Sequence, residues 1–145
     1  PPLHNFTQKL ITMIDADTNA FNDYMDAIRL PKNTDEEKTI RTAAMQAGLK
    51  KAIEIPLSTM RYGDFAWEWM LEIAKYGNIA SKSDVEVGAR SLEVGIWGAY
   101  KNVLINLPEI TDEDFKKRIL EEAESIVQRA DKKSKEVLEI LNNRN

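Results

Sequence analysis

From Leu3 to Arg29 the apolar residues recur at Leu3, Phe6, Leu10, Ile14, Phe21, Tyr24 and Ile28. These steps of three, four and seven trace one face of a 3.6-residue helix. The position that should continue the stripe between Ile14 and Phe21 is 17, and it holds an aspartate. At roughly 100° per residue, Asp17 falls near the centre of the apolar face. Its neighbours Asp15, Asn19, Asn22, Asp23 and Asp26 point toward expected solvent. An unpaired carboxylate on such a face is costly to bury, so it either shifts its pKa or finds partners. Two readings follow: a proton-transfer group, or a carboxylate that caps or hydrogen-bonds a neighbouring helix.

The rest of the chain repeats the helical period. Pro31 ends the first segment, and Thr34 with Glu37 forms a capping box for a second helix over Asp35 to about Glu54. Pro56 is expected to break or kink that helix. A third helical stretch then closes at Gly77-Asn78. Ser83 with Glu86 opens a fourth, ended by Pro108, and Thr111 caps a fifth. The fifth carries near-heptad spacing at Phe115, Ile119, Ile126, Ala130, Val137 and Leu141, which fits an outer helix packed along one seam or a dimer seam. No stretch alternates with period two. The expected fold is therefore all-α, a bundle of about five long helices in a single domain over 1–145.

One helix face is unusual. Asp84, Gly88, Ser91, Gly95, Gly98, Asn102 and Asn106 fall within roughly 80° of arc. The stripe is small at its centre and polar at its ends. It is either a groove for a tightly packed helix, or the wall of a ligand cleft in which Asp84, Asn102 and Asn106 supply hydrogen bonds.

Composition removes several classes. The 145 residues are 43% hydrophobic and 30% charged, as in an ordinary globular domain. The net charge of −4, with spread Lys and Arg, argues against a nucleic-acid binder. The absence of cysteine excludes disulfides and thiolate metal sites and allows a cytoplasmic location. No apolar run approaches the ~18–20 residues of a membrane span, and no signal peptide is visible. No phosphate-binding Gly loop, HExxH or GxSxG motif occurs. The only histidine, His4, cannot build a metal cluster, so no metal is expected and acid–base chemistry must rest on carboxylates, lysines or tyrosines. The start Pro1-Pro2-Leu3 has no initiator Met, so a processed or excised start is expected.

Linked blocks then carry a resemblance. They are Met13-Ile14-Asp15-Ala16-Asp17-Thr18-Asn19-Ala20-Phe21, Arg29-Leu30-Pro31-Lys32-Asn33-Thr34, Glu36-Glu37-Lys38, Ile55-Pro56-Leu57, Tyr76-Gly77-Asn78 and Ser83-Asp84. They continue in Gly98-Ala99-Tyr100-Lys101-Asn102-Val103-Leu104-Ile105-Asn106-Leu107 and Ile110-Thr111-Asp112-Glu113. In order and spacing these resemble the cyclodeaminase domain of the formimidoyltransferase-cyclodeaminase family. The resemblance implies an all-helical folate enzyme, at least dimeric, that closes 5-formimidoyltetrahydrofolate to 5,10-methenyltetrahydrofolate and releases ammonia in histidine breakdown. Tetrahydrofolate would be the one-carbon carrier, in free or polyglutamylated form. Single-domain relatives are similar to methenyltetrahydrofolate cyclohydrolases, and a non-catalytic oligomerisation remnant is a further alternative. The family's catalytic aspartate matches Asp17. Asp84, Asn102 and Asn106 are then candidates for the pterin, and Arg29 and Lys32 for glutamate carboxylates or for plain surface charge. Family members carry an upstream Pro-Gly-Gly-Gly-Ser-like turn, which this chain is expected to lack.

Overall fold

The computed structural model describes residues 2–144, and side chains from residue 4 onward. Four long helices form the molecule: α1 (Pro2–Arg29), α2 (Asp35–Tyr76), α3 (Lys82–Asn106) and α4 (Glu113–Asn142). Single 3₁₀ turns at Ile79–Ser81 and Leu107–Glu109 enter and leave the α3 segment. No strand occurs among the described residues.

Four helices replace the expected five because Pro56 does not break α2. An interior proline costs ~3 kcal/mol through its missing N–H and ring clash. Here Pro56 is itself buried, and Ile53, Leu57 and Met60 around it are fully buried. Each such side chain contributes ~1.5–3 kcal/mol on burial, so packing on both sides outweighs the local cost. The start of α2 is as the sequence predicts. Thr34 Oγ1 accepts from the Glu37 backbone N–H at 3.1 Å, and Glu37 Oε2 accepts from the Thr34 N–H at 3.3 Å.

Two other helix starts differ from expectation. Helix α3 is entered through the 3₁₀ turn, with Asn78 Oδ1 accepting from the Ala80 N–H at 3.0 Å, so Ser83 lies inside the helix and does not cap it. Asp112, not Thr111, caps α4, accepting from the Phe115 N–H at 3.0 Å. Thr111 is instead held by Gln46, whose Oε1 accepts from its backbone N–H at 2.9 Å and whose Nε2 donates to the Glu109 carbonyl at 2.8 Å. A long-range bond to α2 wins over a local cap.

Helices α2, α3 and α4 pack on one another around Ile53, Leu57, Met60, Trp67, Ile96 and Ile119. The α4 seam is the predicted one, with Ile119, Ile126, Ala130, Val137 and Leu141 all buried. Charged pairs fasten α4 to α2. Arg61 donates to Glu122 through Nε at 2.6 Å and Nη2 at 2.8 Å, and Arg129 Nη2 donates to Asp64 at 2.7 Å. Helix α1 packs along α2, and no comparable packing joins it to α3 or α4 among the described residues.

Candidate active site

That asymmetry opens the site. Helices α1 and α3 flank the same stretch of α2 without closing on each other, leaving a groove of ≈ 530 Å³. Its floor is Ile55, Pro56 and Thr59 of α2; its walls include Leu10, Met13 and Ile14 of α1 and Val94, Gly95 and Gly98 of α3. Beside it lies a tighter slot of ≈ 160 Å³, lined by Phe21, Tyr24, Leu49, Ala52 and Asn106. Asp17 and Asn102 line both.

Asp17 lies on the face of α1 that lines the groove, and the burial expected of it is not found. Asp17 is exposed. The residues of α1 that α2 buries most deeply are Ala20 and Ala27, with Met13, Ala16 and Tyr24 half-buried beside them. Small residues let the two backbones approach. A Cβ added at Gly48 of α2 would lie 3.0 Å from the Tyr24 Cα. The packed seam is therefore rotated away from the large apolar residues, leaving Ile14 67% and Phe21 60% exposed. Asp17 sits at the boundary between the packed seam and that open apolar face. No hydrogen bond or ion pair reaches its carboxylate among the described residues.

The glycine stripe of α3 is the facing wall. A Cβ at Gly95 or Gly98 would meet nothing within 4 Å, so among the described residues no helix fills this side. Asn106 Nδ2 donates to the Asn102 carbonyl at 3.1 Å, which fixes the carboxamide and leaves its Oδ1 as an acceptor. Asp17, Asn102 and Asn106 are thus brought together. Asp84 is not: it is exposed in the first turn of α3 and lines neither cavity. Arg29 and Lys32 also line neither, and Arg29 Nη1 pairs with Asp26 at 3.1 Å. Phe21 and Tyr24 were read as core stripe and instead line the slot; their spacing of four and seven from Asp17 was the available signal. Thr18 and Thr59 hydroxyls are turned to backbone carbonyls, at 3.2 Å to Ile14 and 3.2 Å to Ile55. Among the described residues no group of three or more His, Cys, Asp or Glu is placed to hold a metal, and no helix is long and apolar enough to cross a membrane.

The molecule is thus of the class of helical bundles with an open groove between facing helices. The sequence model described as formiminotransferase-cyclodeaminase matches residues 1–125, and the chain belongs to that family. The formimidoyltransferase-cyclodeaminase of Gallus gallus is 44% identical over 144 residues, covering 99% of this chain and 27% of the relative. That of Dictyostelium discoideum is 50% identical over 129 residues, covering 89% and 23%. A methenyltetrahydrofolate cyclohydrolase of Methylorubrum extorquens is 36% identical over 121 residues, covering 83% and 58%. The crystal structure of a formiminotetrahydrofolate cyclodeaminase from Thermotoga maritima superposes with a TM-score of 0.82 at 28% identity, covering 96% of this chain and 65% of that one. The chain therefore spans about a quarter of the length of the bifunctional relatives it matches.

Proposed function

We propose that this chain carries a cyclodeaminase site of folate one-carbon metabolism, converting 5-formimidoyltetrahydrofolate to 5,10-methenyltetrahydrofolate and ammonia in histidine breakdown. The observation that carries it is Asp17, the family's aspartate, lining both cavities of the groove. N10 of the folate attacks the carbon of the protonated formimidoyl group, N5–CH=NH2+, and gives a tetrahedral intermediate that carries an NH2 group. N10 then loses its proton, and the C–N bond to the amine breaks as that nitrogen gains one. Asp17 accepts the N10 proton and returns it to the departing amine, so the carboxylate is regenerated and ammonia leaves. Asn102 and Asn106 orient the pterin edge through their carboxamides. Arg29 and Lys32, outside the cavities, are read as plain surface charge, and Asp84 lies at the far end of the α3 face. The protein acts in the cytoplasm as a homodimer or larger assembly, whose contacts would cover exposed apolar residues outside the two cavities, such as Ile11, Ile40 and Ile105.

The test is the growth of methenyltetrahydrofolate absorbance, with ammonia followed in parallel, when folded chain meets 5-formimidoyltetrahydrofolate. Both signals rising together is the expected result. The runner-up reading is hydrolysis of the methenyl bridge, the activity in the name of the Methylorubrum relative. It predicts instead an enzyme-dependent loss of the same absorbance when 5,10-methenyltetrahydrofolate is supplied. Silence in both assays from a folded sample overturns catalysis by this chain and leaves the assembly role.

A further inference from the structure

The geometry points to a single direction for the folate in the groove: the pterin ring enters the slot of Phe21 and Tyr24, and the p-aminobenzoyl-glutamate half runs along the open groove toward Leu10 and Val94. This rests on the folate reading above and deepens it. Atoms N5 and N10, which the reaction bridges, lie between the bicyclic ring and the aminobenzoyl ring. A carboxylate that serves them must therefore stand between two binding spaces. Asp17 does so, with Asn102 the only other residue common to both cavities. The two halves of the ligand then occupy different cavities, and the remaining question is which takes which.

The linings decide it. The slot, at ≈ 160 Å³, has the two aromatic side chains, an apolar wall at Leu49 and the fixed carboxamide of Asn106. A flat ring with an N3–H and a 2-amino group stacks on the aromatics and donates to the Asn106 Oδ1. The groove, at ≈ 530 Å³, has no aromatic lining residue and a glycine wall at Gly95 and Gly98. Its width suits a longer, flexible chain of variable length, whose carboxylates stay in water. The tail then leaves toward the Lys9 end of α1, away from Arg29 and Lys32.

Intermolecular NOEs between the chain and 5-formyltetrahydrofolate, a stable analogue, test the direction. The expected pattern links the C7 protons of the pterin to the rings of Phe21 and Tyr24, and the aminobenzoyl protons to the methyls of Ile14 and Val94. The reversed pattern overturns the direction and leaves the folate reading standing. No binding of the analogue by a folded chain overturns both. A Phe21→Ala variant adds a second readout. It removes an exposed ring, so the amide spectrum should keep its native dispersion. The affinity for 6-hydroxymethylpterin should fall about five- to tenfold while that for p-aminobenzoyl-glutamate stays within about twofold. Equal loss for both fragments, or loss for the aminobenzoyl fragment alone, overturns the assignment of the slot.

Discussion

The Asp17 carboxylate is held in place without being engaged. Its neighbours on α1 pack, and it stands just off the packed seam with no competing ionic partner. Asp17→Asn should leave the thermal midpoint within about 2 °C, because no buried contact is lost. It should lower turnover of 5-formimidoyltetrahydrofolate by ~10²–10⁴-fold, the usual contribution of a positioned acid–base group. Unchanged turnover in the variant, measured by methenyl absorbance, would remove Asp17 from the chemistry. Glu122 shows the opposite use of a carboxylate. The hydrogen bond from Arg61 is the largest cause holding its carboxyl below the ordinary glutamate value of 4.5, with Arg61, Arg118 and Arg129 adding their charge. An acid depressed in the folded state stabilises it above the unfolded pKa. That contribution is lost as pH falls below 4.5 through the folded value. Glu122→Gln should therefore flatten the fall in urea stability between about pH 6 and pH 3. The sequence disclosed Asp17 because an acid interrupts an apolar period. It could not disclose the burial, because the seam that packs is made of alanines, which a pattern of large residues overlooks.

At the scale of elements, α3 is a wall whose glycines are kept open at the expense of helix stability. Glycine inside a helix is less favourable than alanine by ~0.5–1 kcal/mol. Since a methyl at Gly95 or Gly98 meets nothing, Gly95→Ala and Gly98→Ala should each raise unfolding free energy by about that amount. The same methyls project into the groove and should raise KM for the folate. Gly48→Ala is the contrast: its methyl would press on the Tyr24 backbone, which cannot give way as a side-chain tip could. It should destabilise the fold by ~1–2 kcal/mol in urea titrations, overpacking exceeding the helical gain. Element type was readable throughout, and so were the Thr34–Glu37 box and the α4 seam. Boundaries failed where a distant partner overruled a local signal, as Gln46 does at Thr111 and the buried flanks do at Pro56.

For the whole molecule, the main division is between a three-helix core and a first helix fastened along one side. Of α1's described residues only Ala20 and Ala27 are buried. Amides of α1 should exchange with deuterium well before those of α2 and α4, and 5-formyltetrahydrofolate bridging α1 and α3 should slow α1 selectively. Uniform protection by the ligand, read by mass spectrometry, would contradict that division. No period within one helix announces such a gap; it arises from which helices α2 chooses to touch. Pro56 has one more effect on the gap. Lacking an N–H, it leaves the Ala52 carbonyl without the helical donor that residue 56 would supply. Ala52 lines the slot and Pro56 the groove, so the helical bond that is missing would have joined a residue of one cavity to a residue of the other. An inhibitor that donates to the Ala52 carbonyl would address the backbone, and resistance could not arise by trimming a wall side chain. An escape variant would have to replace the proline itself, and would lose part of the groove's floor in doing so.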